Sequence, residues 1–489
     1  MGHSEAADAE GAGVPDADSR PSAQPADGAA GQRRAAPTVL WLACAAQFMV
    51  VLDVSVVNVA LPSIKAALGF DAAGLQWVVG GYALVFAGFL LLGGRLADLY
   101  GRRRVFVWGL VLFSASSLVG GLATAPGLLV AMRAVQGLGA AVLAPATLTV
   151  LTTTFAEGQA RTRALAVWTA VSSAGGAAGN VIGGVLTESL SWRWILLINV
   201  PIGAAAVLAA VRLLPPDRSP EAAPRTRLDL PGAVLATVGV GALVHGVTQV
   251  EKHGWSGPAA ASGPLLGLVA LAAFAVTEVR YAADPLLPPR LVRMRPVWAG
   301  NAVMLLAGAC FIPMWYFLSL CMQDLLGYGA LATGVGFLPH TLVGIAAARL
   351  APAVMRGTGS RNLIAGSALL SALGFLWQSR IGAESGYLDG LLGPAVVMSA
   401  GMGLLITPLT ATVTSGVPER DAGAASGLMN TTRQTGGVLG LAVLVGLAAS
   451  AGSTAASYRT AFTAIAAACA GVAALALALP APQTRTRRR

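Results

Sequence analysis

Long apolar runs, each close to 20 residues, recur along the chain, and the short stretches between them hold nearly all of its charge. Fourteen such runs lie at 38–60, 75–97, 104–123, 127–150, 164–187, 194–214, 230–250, 262–281, 297–321, 331–355, 362–380, 390–412, 429–450 and 459–479. A helix that crosses the hydrocarbon core needs about 20 mostly apolar residues, so each run predicts a membrane-spanning helix. None alternates with period two over about 10 residues, as the strands of a membrane barrel do. The runs at 230–250 and 362–380 are the least sharply delimited.

Composition agrees with the pattern. Charged residues make up 11% of the 489-residue chain, hydrophobic residues 55%, and the mean hydropathy is +0.70. Soluble proteins carry about 25% charge. These values exclude a cytosolic enzyme, a nucleic-acid-binding protein and a disordered chain. Only Lys65 and Lys252 are lysines; with abundant Ala, Gly and Val, the arginine bias points to a GC-rich bacterial genome. Cys44, Cys310, Cys321 and Cys469 sit in or beside apolar runs, with no CxxC spacing and no Cys/His cluster. They are read as small buried hydrophobes, with no metal site and no cofactor.

Arginine placement sets the topology, because cytoplasmic loops of membrane proteins collect basic residues. With the N-terminus inside, 25 of the 32 basic residues fall in inside segments, five (Lys65, Arg193, Lys252, Arg380 and Arg459) in outside segments, and Arg133 and Arg433 within spans. A wrong helix count would scramble this alternation, so fourteen spans and two cytoplasmic termini are expected together. Residues 1–36 carry six acids and three arginines without an apolar run, which predicts a disordered tail and no signal peptide.

Four motifs carry a family resemblance. The loop after the second run reads Gly93-Gly94-Arg95-Leu96-Ala97-Asp98-Leu99-Tyr100-Gly101-Arg102-Arg103-Arg104 and resembles the G-x-L-a-D-x-x-G-R-(K/R) loop of the major facilitator superfamily. The fourth run holds Leu129, Arg133, Gln136, Gly137, Gly139, Ala140 and Ala141 in the spacing L-x-x-x-R-x-x-Q-G-x-G-A-A. The fifth holds Gly175, Gly179, Gly183 and Gly184, similar to the antiporter motif G-x-x-x-G-P-x-x-G-G, but with Asn180 in place of the proline. The first reads Leu52-Asp53-Val54-Ser55-Val56-Val57-Asn58-Val59-Ala60-Leu61-Pro62, similar to the L-D-x-T-(I/V)-V-N-V-A-L-P signature of the fourteen-helix drug:proton antiporters.

The resemblance implies an all-α polytopic membrane protein with the major facilitator fold: two six-helix bundles plus two extra helices. The expected layout is a tail at 1–36, a first bundle at 37–214, a linker with the two extra helices at 215–290, a second bundle at 291–480 and a basic tail at 481–489. The inside segment from Arg349 to Arg361 is a degraded echo of the Gly94–Arg102 loop, placed where a duplicated half would put it.

Each motif admits a functional and a plainer role. Gly94, Asp98, Gly101 and Arg102 are implied to latch the two halves in one state; a solvated basic loop accounts for the arginines alone. Arg133 is implied to act in proton coupling; the alternative is an outer-end arginine snorkelling to the interface. Asp53 sits among apolar residues, where an ionised carboxylate is expensive. Asp53 is therefore a candidate protonation site, or else a carboxylate permanently paired with an arginine. Gln136 and Gly137, with Gly175, Gly179, Asn180, Gly183 and Gly184, form helix-packing motifs that either serve coupling or only permit close approach. Trp77, Tyr82, Phe311, Trp315 and Tyr316 are candidate walls of a substrate cavity or ordinary packing aromatics. His245 and His340 are read as packing histidines, and Glu278 as a partner of Arg280 or Arg293.

By resemblance the chain is a proton-driven secondary exporter of drugs or antibiotics in the bacterial inner membrane, working by alternating access. Its partners would be a lipophilic small molecule, protons and the bilayer. A monomer is the default state of the fold. A facilitator-type uniporter or symporter of another small metabolite is the alternative; it would favour twelve spans and more charge within them. No HExxH, P-loop or GxSxG sequence is present to support an enzyme.

Overall fold

The computed structural model describes residues 26–155, 158–214, 229–253, 258–281, 289–418 and 421–479. Among these residues there are helices and no strands. Fourteen long helices follow one another: α1 (Ala26–Leu68), α2 (Ala72–Tyr100), α3 (Arg102–Gly121), α4 (Pro126–Thr154), α5 (Gln159–Ser189), α6 (Asn199–Leu213), α7 (Leu230–His253), α8 (Pro258–Val276), α9 (Arg295–Leu320), α10 (Leu338–Thr358), α11 (Ser360–Gln378), α12 (Gly393–Val413), α13 (Ala422–Ala449) and α14 (Thr454–Ala476). Short helical pieces at Trp194–Leu197 and Ala330–Gly336 lead into α6 and α10. α1 begins at Ala26, so residues 26–36 continue the helix where the sequence reading has a disordered tail. Alanine, glutamine and arginine there all favour helix. Residues 1–25, the linker at 215–228 and the tail at 481–489 lie outside the described residues.

Thirteen helical segments among the described residues are long and apolar enough to cross a membrane, and the protein is a multi-pass membrane protein. α11 falls short by apolarity because Ser360, Arg361 and Asn362 open it and Gln378 closes it. Ser367, Ser371 and Gln378 point into the bundle, where the Ser371 hydroxyl donates to the Met398 carbonyl at 3.3 Å and Gln378 Nε2 donates to the Gly390 carbonyl at 2.9 Å. Its 19 residues match the run expected at 362–380. Internal hydrogen bonds keep this polar face tolerable in an apolar medium.

α1–α6 pack as one bundle and α9–α14 as another, with α7 laid against α2 and α13 on one flank and α8 packed on α7. The two bundles share a backbone device. Gly101 (φ 93°, ψ 143°) both ends α2 and starts α3, and Gly359 (φ 78°, ψ 157°) does the same between α10 and α11. A side chain is strained at either φ, so glycine permits the reversal. The repeated corner supports the internal duplication suggested by the Arg349–Arg361 segment.

The bundles meet at one end and separate at the other. At the end carrying few arginines, the Ser319 hydroxyl donates to the Asn58 carbonyl at 2.6 Å and Gln323 Nε2 donates to the Val59 carbonyl at 2.9 Å, which joins α9 to α1. The Leu331 N–H donates to Glu188 at 2.8 Å, joining α5 to the short helix before α10. Backbones touch there: a Cβ on Gly184 would lie 2.7 Å from the Ala330 carbonyl oxygen, and one on Gly334 would lie 2.3 Å from that of Asn180. A large apolar core containing Leu61, Ile64, Phe317, Leu318, Leu441 and Leu444 fills the same end.

On α5 the contact stripe of Asn180, Gly184 and Glu188 continues along one helix face through Ser173, Ala170, Ala166 and Arg163. Those four residues are exposed. Along α5 the two halves are therefore apart at the arginine-rich end, whereas α2 and α13 stay in contact as far as Leu91 and Gly427. Val54 is 40% exposed although α4, α5, α6 and α9 flank α1, so the cleft reaches the middle of the membrane.

Replacing Gly184 with valine is expected to wedge the sealed end open. Cys321, fully buried in that seal, should then react with a membrane-impermeant maleimide at least about tenfold faster than in the parent protein. An unchanged Cys321 labelling rate, located by mass spectrometry, would show that Gly184 does not set the closed contact.

Candidate functional site

At mid-depth of the first bundle, five helices converge on one carboxylate. Asp53 of α1 is wholly buried. Its Oδ2 accepts from Arg133 Nη1 at 2.6 Å, and its Oδ1 accepts from Gln136 Nε2 at 2.7 Å and from Asn199 Nδ2 at 2.9 Å. Arg133 Nη1 also donates to Gln136 Oε1 at 2.6 Å, and Arg133 Nε donates to the Val78 carbonyl at 3.0 Å. Its guanidinium lies over the Tyr82 ring, 4.5 Å from the centroid. Ser117 of α3 accepts from Gln136 at 2.7 Å. The helices joined are α1, α2, α3, α4 and α6.

The sequence explains how the cluster forms. Arg133 and Gln136 are three apart, so α4 presents them on one face. Gly137 follows, and a Cβ there would meet the Tyr82 carbonyl oxygen at 2.4 Å. Only glycine lets α2 approach α4 closely enough for Tyr82 to lie under the guanidinium. In the apolar bundle the pair is electrically neutral, with Arg133 Nε and Nη1 directed at named acceptors. That arrangement offsets the desolvation of both ions.

Arg133 does not snorkel to the outer interface: it is 2% exposed and turned inward, because Asp53 and the Val78 carbonyl hold it. For Asp53 the paired arrangement is the one present. The sequence reading missed two members, Ser117 and Asn199. An Asn at the head of an apolar run was the available signal for Asn199; nothing distinguished Ser117 from other hydroxyls in spans.

The α5 motif divides between two neighbours. Gly175, Gly179 and Gly183 lie against Phe48, Ser55 and Val56 of α1, whereas Gly184 and the Asn180 backbone lie against the other bundle. The Asn180 side chain is buried, and its Oδ1 has no hydrogen-bond partner among the described residues. Gly94 sits in α2, Gly101 forms the corner and Arg102 opens α3 exposed. The side chain of Asp98 lies outside the described residues, so the expected latch contact does too.

The aromatic candidates separate. Tyr82 and Tyr316 are 3% and 2% exposed, so neither is a cavity wall. Tyr82 is committed to Arg133, and Tyr316 packs edge-on against Phe317 at 5.3 Å within the sealed end. One residue along a helix turns a side chain by about 100°, which is why Trp315 and Tyr316 differ. Half-buried Trp315 lies 5.1 Å from the Phe337 ring and 6.1 Å from His340. Phe311 and Trp77 are half-buried against core clusters. His340 is buried and its Nδ1 is 3.2 Å from the Ser399 hydroxyl; His245 is exposed; Glu278 is buried in the turn Thr277–Tyr281.

The profile of the Major Facilitator Superfamily matches residues 43–441. Cephamycin export protein CmcT of Amycolatopsis lactamdurans is 56% identical over 454 residues, 91% of this chain and 93% of that protein. Puromycin resistance protein pur8 of Streptomyces alboniger is 41% identical over 82% of this chain and 79% of its own length. Lincomycin resistance protein of Streptomyces lincolnensis is 33% identical, with 86% of each chain covered. The in meso crystal structure of the POT family transporter PepTSo superposes with a TM-score of 0.69 at 14% identity, covering 91% of this chain and 97% of that one, which is a likeness of fold.

Removing one member of the buried pair should cost more than removing both. Asp53→Asn and Arg133→Gln are each expected to lower stability by about 3 kcal/mol, with the double variant losing less than either single variant. Thermal unfolding in detergent measures this. Additive losses would mean that the two ions do not stabilise each other.

Proposed function

The chain belongs to the major facilitator superfamily, and we propose that it is a proton-driven exporter of antibiotics in a bacterial inner membrane. The observation that carries this reading is the buried Asp53–Arg133 pair and the helices it ties together. A carboxylate at this depth is the group in the first bundle able to take up and release a proton within the membrane.

Its link to movement runs through Arg133. While Asp53 is ionised, Arg133 is held between Asp53, Gln136, the Val78 carbonyl and the Tyr82 ring. Val78 and Tyr82 belong to α2, and α2 packs along α13 of the other bundle. Protonation of Asp53 removes the anion that anchors the guanidinium and shifts its balance toward α2 and Gln136. The seam between α2 and α13 is thereby biased by the charge on Asp53. The rocking of two bundles needs such a two-state element.

The arginine distribution supports a cytoplasmic location for both termini and for the open end of the cleft. In this orientation the structure is inward-open. A lipophilic molecule enters from the cytoplasm or inner leaflet, the halves rock, and release outside accompanies proton entry to Asp53. The relatives' names, which refer to a cephamycin, puromycin and lincomycin, support antibiotics as the cargo class. The protein acts as a monomer and catalyses no covalent chemistry.

Inside-out membrane vesicles with an acidic lumen and a pH-sensitive dye test the reading. Adding a cephamycin should evoke proton efflux in the parent protein, reduced at least about tenfold in Asp53→Asn. Substrate accumulation that survives both the substitution and collapse of the gradient would overturn proton coupling and favour a uniporter. Asn180, which replaces the antiporter proline, would then be the first position to examine.

A further inference from the structure

Arg133 is one of two basic residues within the spans; the other, Arg433 of α13, has no role in the network around Asp53. α13 presents two distinct faces. Gly427, Thr431 and Val438 meet α2: Leu91 lies against Gly427, the Thr431 hydroxyl donates to the Ala87 carbonyl at 3.0 Å, and Val438 lies against Gly80. Asn430, Arg433, Gln434 and Gly437 recur at i, i+3, i+4 and i+7 and form a separate stripe. Further out, Leu441, Leu444 and Ala448 continue that stripe into the apolar core of the sealed end. The polar residues of the stripe therefore sit directly beneath the seal, at the blind end of the cleft. All three polar side chains are half-buried.

A guanidinium at this depth is costly unless something answers its charge. Arg133 has Asp53. Among the described residues no hydrogen bond or ion pair reaches the side chain of Arg433, and none reaches that of Gln434. The carboxylate of Asp53 is already held by three donors. The cleft thus presents an uncompensated cation with amide groups on either side, bounded above by apolar side chains.

We propose that Arg433 binds an organic carboxylate carried by the exported molecule, which makes the substrates amphipathic acids and not lipophilic cations; this rests on the exporter reading above. The planar guanidinium takes a carboxylate through two parallel N–H···O bonds. Gln434 supplies a further donor one residue on, and Asn430, whose Nδ2 also donates to the Ser426 carbonyl at 3.1 Å, lies one turn back. The apolar part of the ligand lies toward the sealed core, where Phe311 and Trp315 of α9 are half-buried. Entry of the acid neutralises the charge that otherwise opposes closure of the cleft around Arg433, so loaded protein closes more readily than empty protein.

The test is ligand binding by the full chain in nanodiscs, which does not require transport. The probes are several aromatic and β-lactam carboxylic acids, each paired with its methyl ester. The wild type should bind the acids about tenfold or more tightly than the esters. Arg433→Gln should abolish this preference by weakening the acids alone, and Arg433→Lys should retain part of it. Size-exclusion profiles and ester binding check folding. If Arg433→Gln does not fold, the acid-to-ester ratios of the wild type and Arg433→Lys decide the matter.

Equal binding of acids and esters by the wild type would overturn the proposal, as would an equal loss of both in Arg433→Gln. Phosphatidylglycerol or chloride could supply the anion instead. Acid binding abolished by anionic lipid or by chloride, but unaffected by Arg433→Gln, would assign the charge to those sources and also overturn it. Failure of this test leaves proton-coupled export standing, because that is read from Asp53→Asn in vesicles. Loss of proton coupling leaves the acid preference measurable.

Discussion

A carboxylate and a guanidinium sealed together in the middle of an apolar bundle constrain everything around them. Neither ion is tolerable there alone, and neither has water to turn to. Their mutual contact at 2.6 Å fixes α1 against α4, and the remaining lone pairs and N–H groups draw in α2, α3 and α6. The polar network is the framework of the first bundle, and the small residues around it follow from it. Gly137 lets α2 come close, and the glycine stripe of α5 lets that helix close over α1 beside Asp53.

The two halves handle charge differently. In the first bundle cation and anion compensate each other and are wholly buried. In the second, Arg433 is half-buried, while Ser371 and Gln378 of α11 donate to the backbone carbonyls of Met398 and Gly390, and Ser399 of α12 lies 3.2 Å from His340 of α10. One half thus holds a compensated ion pair, and the other a guanidinium without a charged partner among the described residues. α2 and α13, packed along each other, are where the two meet.

Sealing at one end uses contacts that are easily made and broken. Backbone carbonyls accept from Ser319 and Gln323, a single carboxylate meets the Leu331 N–H, and apolar side chains do the rest. No ion pair crosses that end among the described residues. Such a seam suits a structure that must open there in another state, since hydrogen bonds to water replace those lost at modest net cost. The bidentate Arg290–Asp421 pair, at 2.6 and 2.8 Å, lies at the arginine-rich end and joins residues of the second bundle and its approach segment.

Fourteen helices and the glycine corner at Gly101 were legible in the chain because hydrocarbon imposes strong, local rules on length and apolarity, and a tight corner favours glycine. Even α11, least apolar of the set, kept the expected register. Asp53 and Arg133 stood out for the same reason: a charge in such a run demands an explanation. What paired them did not. They are 80 residues apart in the chain, and only the packing of α1 on α4 brings them together. Ser117 and Asn199 joined them through the same packing and carried little local mark. The aromatic residues were equally unreadable one by one, since the helix turn that buries Tyr316 and leaves Trp315 half-buried depends on where α9 sits among its neighbours. Composition and spacing decide which residues must be accounted for inside a membrane; tertiary packing decides which of them account for one another, because that choice is made by helix contacts far apart in sequence.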